Sequence, residues 1–93
     1  MRVEWDEKKN RANQKKHGVS FELAQEIFDD PLALSKLDRM VGSEERWHTL
    51  GMVEGIVLLL VTHTMRHDED EEIIRIISAR KATTHERRHY EQD

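Results

Sequence analysis

The pattern of apolar and polar positions predicts helices at the start of the chain and strands in its second half. Asp6 is a suitable N-cap and Gly18 a suitable C-terminal residue for a helix over residues 7–17. Ser20 can cap a second helix over residues 21–28. The apolar residues of that second helix share one face at helical spacing: Leu23, Ala24, Ile27 and Phe28.

Strand-like runs follow Pro31, which ends the second helix because the residue before a proline avoids the helical region. Four strands are predicted: a weak one over residues 32–37, then 46–53, 56–64 and 73–80. Residues 38–45 are predicted as a loop and Glu54-Gly55 as a tight hairpin turn. Thr83 and Glu86 form a capping-box pattern that predicts a short final helix.

Short connections between the strands favour an antiparallel meander. The expected fold is therefore a single α+β domain over residues 1–93. In it, two N-terminal helices pack on a four-stranded antiparallel meander sheet, and a short C-terminal helix follows.

Composition narrows the class of protein. The chain has 93 residues, of which 37% are apolar and 37% charged, and it has no cysteine, so disulfides and thiolate metal sites are excluded. The apolar run over residues 56–61 is too short to span a membrane, and the first residues lack the apolar stretch of a signal peptide, so a cytoplasmic location is expected. The net charge is −4, but basic segments at 8–17 and 80–89 are separate from acidic ones.

The segment His85-Glu86-Arg87-Arg88-His89 matches the zinc-protease pattern in which two histidines hold zinc and a glutamate acts as base. Such a site also needs a third protein ligand, and only four residues follow His89. A zinc hydrolase is therefore disfavoured. Under the simpler interpretation, Glu86 closes the capping box and both histidines face solvent or substrate.

The run over residues 73–81 is an apolar strand with basic residues at its centre and end. On a regular strand Arg75 shares a face with Ile77 and Ala79, while Arg80 lies on the opposite face. Arginine binds phosphate with two parallel hydrogen bonds and stays charged at physiological pH. A phosphate-facing patch is therefore predicted from four residues: Arg80, Lys81, Arg87 and Arg88.

Two further side chains are candidates for a role in catalysis or substrate binding. His63 lies on the predicted central strand, and antiparallel pairing with the last strand places it nearer to Arg75 than to Arg80. A histidine on an apolar strand is more often a core residue than a catalyst. Tyr90 on the last helix is either a proton donor or stacking platform, or an aromatic anchor for that helix.

Ordered motifs over nearly the whole chain resemble the BrnT family of bacterial toxins. The opening motif is Glu4-Trp5-Asp6-Glu7-x-Lys9, continued by Asn13, Lys16-His17-Gly18-Val19-Ser20-Phe21, Ala24, Phe28 and Asp30-Pro31. The middle of the chain matches at Glu45-Arg46, Leu50-Gly51 and His63-Thr64-x-Arg66, and the end at residues 74–82, Glu86 and Tyr90.

The resemblance implies a RelE/ParE-like fold and a ribonuclease toxin of a type II toxin-antitoxin system. It also implies a BrnA-type antitoxin whose ribbon-helix-helix domain binds DNA, so that the toxin meets DNA only through a toxin–antitoxin heterotetramer. No cofactor or membrane is implied. The acidic stretch over residues 68–72 departs from the family pattern and is expected to weaken RNA binding if it lies near the site.

The function expected on this basis is metal-independent RNA cleavage, in which the 2′-hydroxyl attacks the adjacent phosphate. Arg66, Arg75 and Arg80 are the candidates for phosphate stabilisation, and His63 and Tyr90 those for proton transfer. The residues expected to hold the RNA backbone are Lys16, His17, Arg46 and Lys81. The alternative is a non-catalytic module that only binds the antitoxin and helps it to repress transcription.

Overall fold

The structure, a computed structural model, describes residues 1–92. Within them a five-stranded sheet has the strand order β1-β5-β4-β3-β2. In chain order the elements are β1 (Arg2–Trp5), α1 (Glu7–His17), α2 (Phe21–Ala24, continued by a 3-10 turn over Gln25–Asp29), β2 (Leu34–Val41), β3 (Glu44–Val53), β4 (Val57–Asp68), β5 (Glu71–Lys81) and α3 (Thr84–Glu91).

The prediction of a four-stranded antiparallel meander is wrong, because β1 adds a fifth strand that runs parallel to β5. Strands β2 to β5 do form consecutive antiparallel pairs. β1 is only four residues long, and its Trp5 lies immediately before the N-cap of α1. Its alternating side chains also fit the start of a helix, so the pattern alone does not distinguish the two.

The helix ends follow the predicted capping residues. The Asp6 carboxylate accepts hydrogen bonds from the amides of Lys8 and Lys9, and Gly18 ends α1 in the left-handed conformation. Ser20 caps α2, which is shorter than predicted because the chain tightens into a 3-10 turn after Ala24. α3 has the complete capping box. None of the helices within residues 1–92 is long and apolar enough to cross a membrane.

The strands are longer than predicted. β2 and β3 run through most of the predicted loop over residues 38–45 and leave only Gly42-Ser43 between them. The predicted turn at Glu54-Gly55 is confirmed, with both residues at positive φ. β4 and β5 continue to Asp68 and from Glu71, so the acidic stretch is the end of a long hairpin and not a loop beside the sheet.

Helices cover the two sides of the sheet unequally. α1 and α2 lie on one side, the helix face, where Phe21, Ala24 and Ile27 pack against Leu59 and other residues of the main core. α3 lies on the opposite side, the open face, where Tyr90 packs against a smaller apolar cluster: Leu34, Leu50, Met52, Leu58 and Leu60. α3 covers only the part of the open face near those leucines, so the rest of that face is free for polar side chains.

A β-bulge at Ile77 reverses the expected orientation of Arg75. Thr62 pairs with Ser78 and His63 pairs with Ile76, which leaves Ile77 without a partner on β4. Because Arg75 pairs with Thr64 and Arg80 pairs with Leu60, both arginines lie on the open face. The prediction that they lie on opposite faces is therefore wrong.

Asn13 joins α1 to the part of β5 that extends beyond β1. Its side-chain amide donates to the carbonyls of Val19 and Ala79, at 2.9 and 2.8 Å, and its oxygen accepts from the Ala79 amide at 3.1 Å. Asn13 is only 7% exposed. The exposed edge of β5 thus finds its hydrogen-bond partner in a helix side chain.

We predict that Asn13→Ala destabilises the protein by about 2 to 4 kcal/mol, because it leaves buried backbone groups of Val19 and Ala79 without partners. Urea unfolding measures the change in the free energy of unfolding. Gln14→Ala, one exposed position along the same helix, is the control and should change it by less than about 0.5 kcal/mol. Equal stability of the two variants would contradict the role given to Asn13.

Candidate functional site

A row of polar and charged side chains crosses all five strands on the open face. In this row Arg39 on β2 pairs with Arg46 on β3, and Arg46 pairs with Thr64 on β4. Thr64 pairs with Arg75 on β5, and Glu4 on β1 pairs with Arg75 from the other side. Neighbouring strands lie about 5 Å apart, so Arg46 and Arg75 are separated by roughly 10 Å across the sheet. The structure therefore brings two of the predicted cations together.

Glu4 gathers three arginines at this end of the open face. Its carboxylate lies 3.1 Å from Arg75 Nη1, 3.7 Å from Arg66 Nη2 and 3.8 Å from Arg2 Nη2. Arg2 also lies 3.7 Å from Glu71, so three arginines share two carboxylates and leave an excess of one positive charge. The side chains of Arg66 and Arg75 remain 51% and 39% exposed, so an anion in solution can reach them.

Arg80 forms a second cationic position at the other end of β5. Its guanidinium donates two parallel hydrogen bonds to the Glu86 carboxylate, both 2.9 Å long. Together with the Thr83 amide, this arginine lowers the pKa of Glu86 to about 2. Hydrogen bonding to Glu86 in turn raises the pKa of Arg80. Arg80 is still 38% exposed, but it would have to share its charge between Glu86 and a phosphate.

A middle row lies between the two cationic positions. Across the sheet it consists of four polar residues: Lys36, His48, Thr62 and Ser78. Arg75 and Arg80 are about 15 Å apart along β5, so an extended phosphate chain that reached from one to the other would cross this row.

α3 and the sheet enclose a cleft beside the middle row. Its volume is about 430 Å³. The floor is apolar, formed by Leu34, Leu50 and Leu60, and the polar walls are formed by Ser35, Lys36, His48, His85, Glu86 and His89. The His48 Nε2 atom lies 3.6 Å from Asp38 Oδ2. Three histidines and a lysine therefore surround one concave space.

His63, a predicted proton-transfer residue, lies on the helix face and is only 1% exposed. Its Nδ1 donates to the Thr64 carbonyl at 3.2 Å, so its Nε2 accepts from the Thr49 hydroxyl at 2.7 Å. The ring also contacts the edge of Phe28. Burial lowers the pKa of His63 and outweighs the opposing effect of its bond to Thr64. This position gives His63 a structural role and no access to a substrate on the open face.

Tyr90, the other predicted proton-transfer residue, anchors α3. Its hydroxyl donates a 2.6 Å hydrogen bond to Asp30 Oδ2, which also accepts from the Met52 amide at 2.8 Å. The hydrogen bond to Asp30 raises the pKa of Tyr90 to about 12. Burial raises the pKa of Asp30, but its hydrogen bonds, that from Tyr90 foremost, outweigh burial and lower it overall. The sequence predicted Tyr90 either as a proton donor or stacking platform, or as an aromatic anchor for the last helix. The geometry favours the anchor.

The other predicted RNA-binding residues lie at the border of the sheet. Lys81 ends β5, and Lys16 and His17 end α1, one turn after the contact between Asn13 and Ala79. Lys16 and Lys81 are exposed. They form a basic border on the side of α1 and do not belong to the rows on the open face.

The zinc-protease pattern does not assemble a metal centre within residues 1–92. No group of three histidine, cysteine, aspartate or glutamate side chains in that part of the chain is placed to hold a metal ion. Glu86 is held by Arg80 and by the Thr83 amide, which confirms its place in the capping box. His85 and His89 both point to the cleft, as i and i+4 positions of one helix do.

Comparison with known proteins agrees with this architecture. The family model of BrnT, the ribonuclease toxin of a type II toxin-antitoxin system, matches residues 5–86. The chain belongs to the BrnT family. It is therefore a ribonuclease toxin of a type II system, with RNA as its target and an antitoxin as its partner.

The fold agrees with that of a solved BrnT toxin. The crystal structure of the Brucella abortus ribonuclease toxin BrnT is similar to this chain with a TM-score of 0.64 and 23% sequence identity. The match covers 90% of this chain and 99% of the Brucella chain. At this identity the likeness shows the fold alone. No curated protein is similar enough to this BrnT chain to count as a match.

Lys36 and His48 line the cleft but are not among the residues predicted from the sequence of this BrnT chain. Lys36 lies in a run that only weakly predicts a strand, and the two nearest residues on each side of His48 are one apolar and one polar residue. The alternation of side chains along each strand could have identified them, because Lys36, His48 and Thr62 lie on the same face once the three strands are paired. That pairing depends on the strand ends, which composition does not define.

We predict that Tyr90 of this BrnT protein titrates near pH 12. Because the chain has a single tyrosine, the absorbance of phenolate at 295 nm reports Tyr90 alone. Its folded pKa is raised from 10.0 to about 12, so its contribution to stability is complete below pH 10 and is lost as the pH rises towards 12.

Asp30→Asn should bring the titration of Tyr90 back towards pH 10, because it removes the carboxylate that stabilises the protonated phenol. Asp29→Asn, at the exposed neighbouring position, is the control and should leave the titration near 12. A wild-type midpoint near pH 10 would show that the Tyr90–Asp30 hydrogen bond is absent in solution.

Proposed function

We propose that this BrnT protein cleaves single-stranded RNA laid across the open face of its sheet, without a metal ion. One observation carries the proposal: Arg75 and Arg80 lie on the same face, with a polar row between them. Fixed cations at two points along a strand suit a flexible polyanion better than a small ligand.

The chemistry that fits this face is transfer of the phosphoryl group within the RNA itself. The 2′-hydroxyl attacks the adjacent phosphorus and the bond to the 5′-oxygen breaks, which leaves a 2′,3′-cyclic phosphate and a 5′-hydroxyl. The protein needs no nucleophile of its own. It must supply cations for the charge on the phosphoryl oxygens and groups that accept and donate protons.

Arg46, Arg66 and Arg75 are the proposed phosphate ligands at one end of the open face, and Arg80 is the ligand at the other. Glu4 holds Arg66 and Arg75 in place, and its hydrogen bond from Arg75 limits the rotamers of that side chain. Arg46 is held instead by Glu44, whose carboxylate lies 3.1 Å from the Arg46 guanidinium. Lys16, His17 and Lys81 are proposed to attract RNA beyond the sheet border. His63 and Tyr90 receive no proton-transfer role, because one is buried and the other is bonded to Asp30.

We propose that the antitoxin of this protein is of the BrnA type and that the two form a heterotetramer of two toxins and two antitoxins in the cytoplasm. Support comes from membership of a type II family. The toxin would then meet DNA only through the antitoxin. Co-expression with a BrnA-type antitoxin, followed by size-exclusion chromatography with light scattering, should give a mass that contains two 11.1 kDa toxin chains. A complex with one toxin chain would contradict the stoichiometry.

Cleavage should persist in EDTA and depend on the arginines. We predict that Arg75→Gln lowers the rate of cleavage of a single-stranded RNA by about 10- to 100-fold, because one phosphate-stabilising charge is lost. Arg11→Gln, an exposed change on α1, is the matched control for charge and should keep the wild-type rate. The measurement is the initial rate by gel electrophoresis, with and without EDTA.

The outcomes separate the alternatives. Activity abolished by EDTA would revive a metal-dependent mechanism. Absence of cleavage in both conditions, together with tight antitoxin binding, would favour the non-catalytic module that represses transcription with its antitoxin. Induced expression without the antitoxin should arrest growth, and harmless expression would count against the toxin activity of this chain.

A further inference from the structure

The cleft between α3 and the sheet contains the groups that a proton-transfer step requires. We propose that this cleft is the reaction centre, where His48 accepts the proton of the RNA 2′-hydroxyl and a histidine of α3, His85 or His89, protonates the departing 5′-oxygen. This proposal rests on the ribonuclease function proposed above and names the residues that act in it.

His48 lies on the open face of β3, beside the cationic positions. His48 belongs to the middle row, between the row that contains Arg75 and the row that contains Arg80. The line between those arginines runs along β5, two strands and roughly 10 Å from His48. The diagonal from Arg46 on β3 to Arg80 on β5 crosses the middle row at Thr62, the direct partner of His48, so a phosphate chain held at Arg46 and Arg80 passes beside His48. The side chain of His48 is 35% exposed on this face, so its ring can meet a ribose that lies on the sheet.

The contact with Asp38 gives His48 an orientation. Because Nε2 faces the Asp38 carboxylate at 3.6 Å, Nδ1 is the ring nitrogen left to accept a proton from the substrate. The carboxylate stabilises the imidazolium that forms after the transfer. Asp38 is thus a positioning residue, and it lies at the irregular pairing between β2 and β3, where Leu37 and Arg39 but not Asp38 have partners.

The opposite wall of the cleft supplies the acid. His85 and His89 are one turn apart on α3 and both line the space that His48 lines. The attacking and leaving oxygens of an in-line displacement lie on opposite sides of the phosphorus, so a base on the sheet and an acid on the helix match that geometry. Leu34, Leu50 and Leu60 offer an apolar floor for the ribose or the base.

The proton balance of the step is complete. The 2′-oxygen forms a bond to phosphorus as its proton passes to His48, and the bond from phosphorus to the 5′-oxygen breaks as that oxygen takes a proton from the α3 histidine. Hydrolysis of the cyclic phosphate is not required. The rate should therefore depend on pH through one histidine that must be neutral and one that must be protonated.

Several charged or titratable groups lie near these histidines. They are Lys36 and Asp38 on β2, Arg80 on β5, Glu86 on α3 and His63 on β4, the last on the other face of the sheet. Of these, Lys36 and Arg80 are also placed to neutralise the phosphate while the proton transfers take place.

The first test compares cleavage and binding. His48→Asn should lower the single-turnover cleavage rate by at least about 100-fold, and should leave the affinity for an uncleavable 2′-deoxy oligonucleotide within about twofold. His48→Gln serves as a second variant if the first is unstable. His67→Asn, near the exposed end of β4, is the control and should cleave at the wild-type rate.

A sulfur leaving group separates the two roles. An RNA with sulfur in place of the 5′-bridging oxygen needs no acid, because a thiolate departs without a proton. The variant with both His85→Asn and His89→Asn should be slow on normal RNA and recover most of its rate on this substrate. His48→Asn should remain slow on both, and its pH–rate profile should lose the limb that reports the base.

The results distinguish this inference from the proposed function. RNA cleaved equally well by the wild type and by His48→Asn would overturn the assignment of the base and leave the ribonuclease proposal intact. Loss of oligonucleotide affinity without loss of the cleavage rate would show that the cleft only binds RNA, which also overturns the inference. A wild type that cleaves no RNA would overturn both proposals.

Discussion

The open face depends on one irregularity, the β-bulge at Ile77. Without it, alternation along β5 would place Arg75 and Arg80 on opposite sides of the sheet. With it, Ile76 and Ala79 both enter the core on the helix face, and the two arginines both face away from that core. The extra residue leaves one backbone position of β5 unpaired, which is a small local loss of hydrogen bonding. In return, a single strand presents cations at two points on the same surface, and the core on the other side remains closed.

Two carboxylates hold α3 over that surface. Asp30 accepts hydrogen bonds from Tyr90 near the end of the helix, and Glu86 receives Arg80 at its beginning. The helix is eight residues long, too short to be stable on its own, so these contacts and the leucine cluster fix its position. The cleft exists only because α3 is held there. The pairing of Arg80 with Glu86 therefore has two effects: it orients the histidines of α3, and it reduces the charge that Arg80 offers to a phosphate.

The helix ends of this fold could be predicted from the sequence, because they depend only on neighbouring residues. Asp6, Ser20 and Thr83 cap the helices as their side chains predict, since a cap needs only its own neighbouring amides. β1 was missed because four residues carry too little periodicity to distinguish a strand, and its pairing with β5 joins residues about 70 positions apart. The bulge has no signature in the sequence, because register is decided by packing on both faces. For the same reason His63 was predicted to face the substrate and His48 was missed.

A chain with a net charge of −4 can still attract RNA, because the acidic end of the β4–β5 hairpin is distant from the cleft. Asp68 and Glu71 pair at the tip of the β4–β5 hairpin, beyond Arg66 and at the opposite end of β5 from Arg80. Interactions between exposed charges fade over about 8 Å at physiological salt. The tip therefore weakens the potential around Arg66 more than that at the cleft. RNA would be repelled at the hairpin tip, beyond Arg66, and held over the middle of the sheet, which favours the register that places a phosphate beside His48.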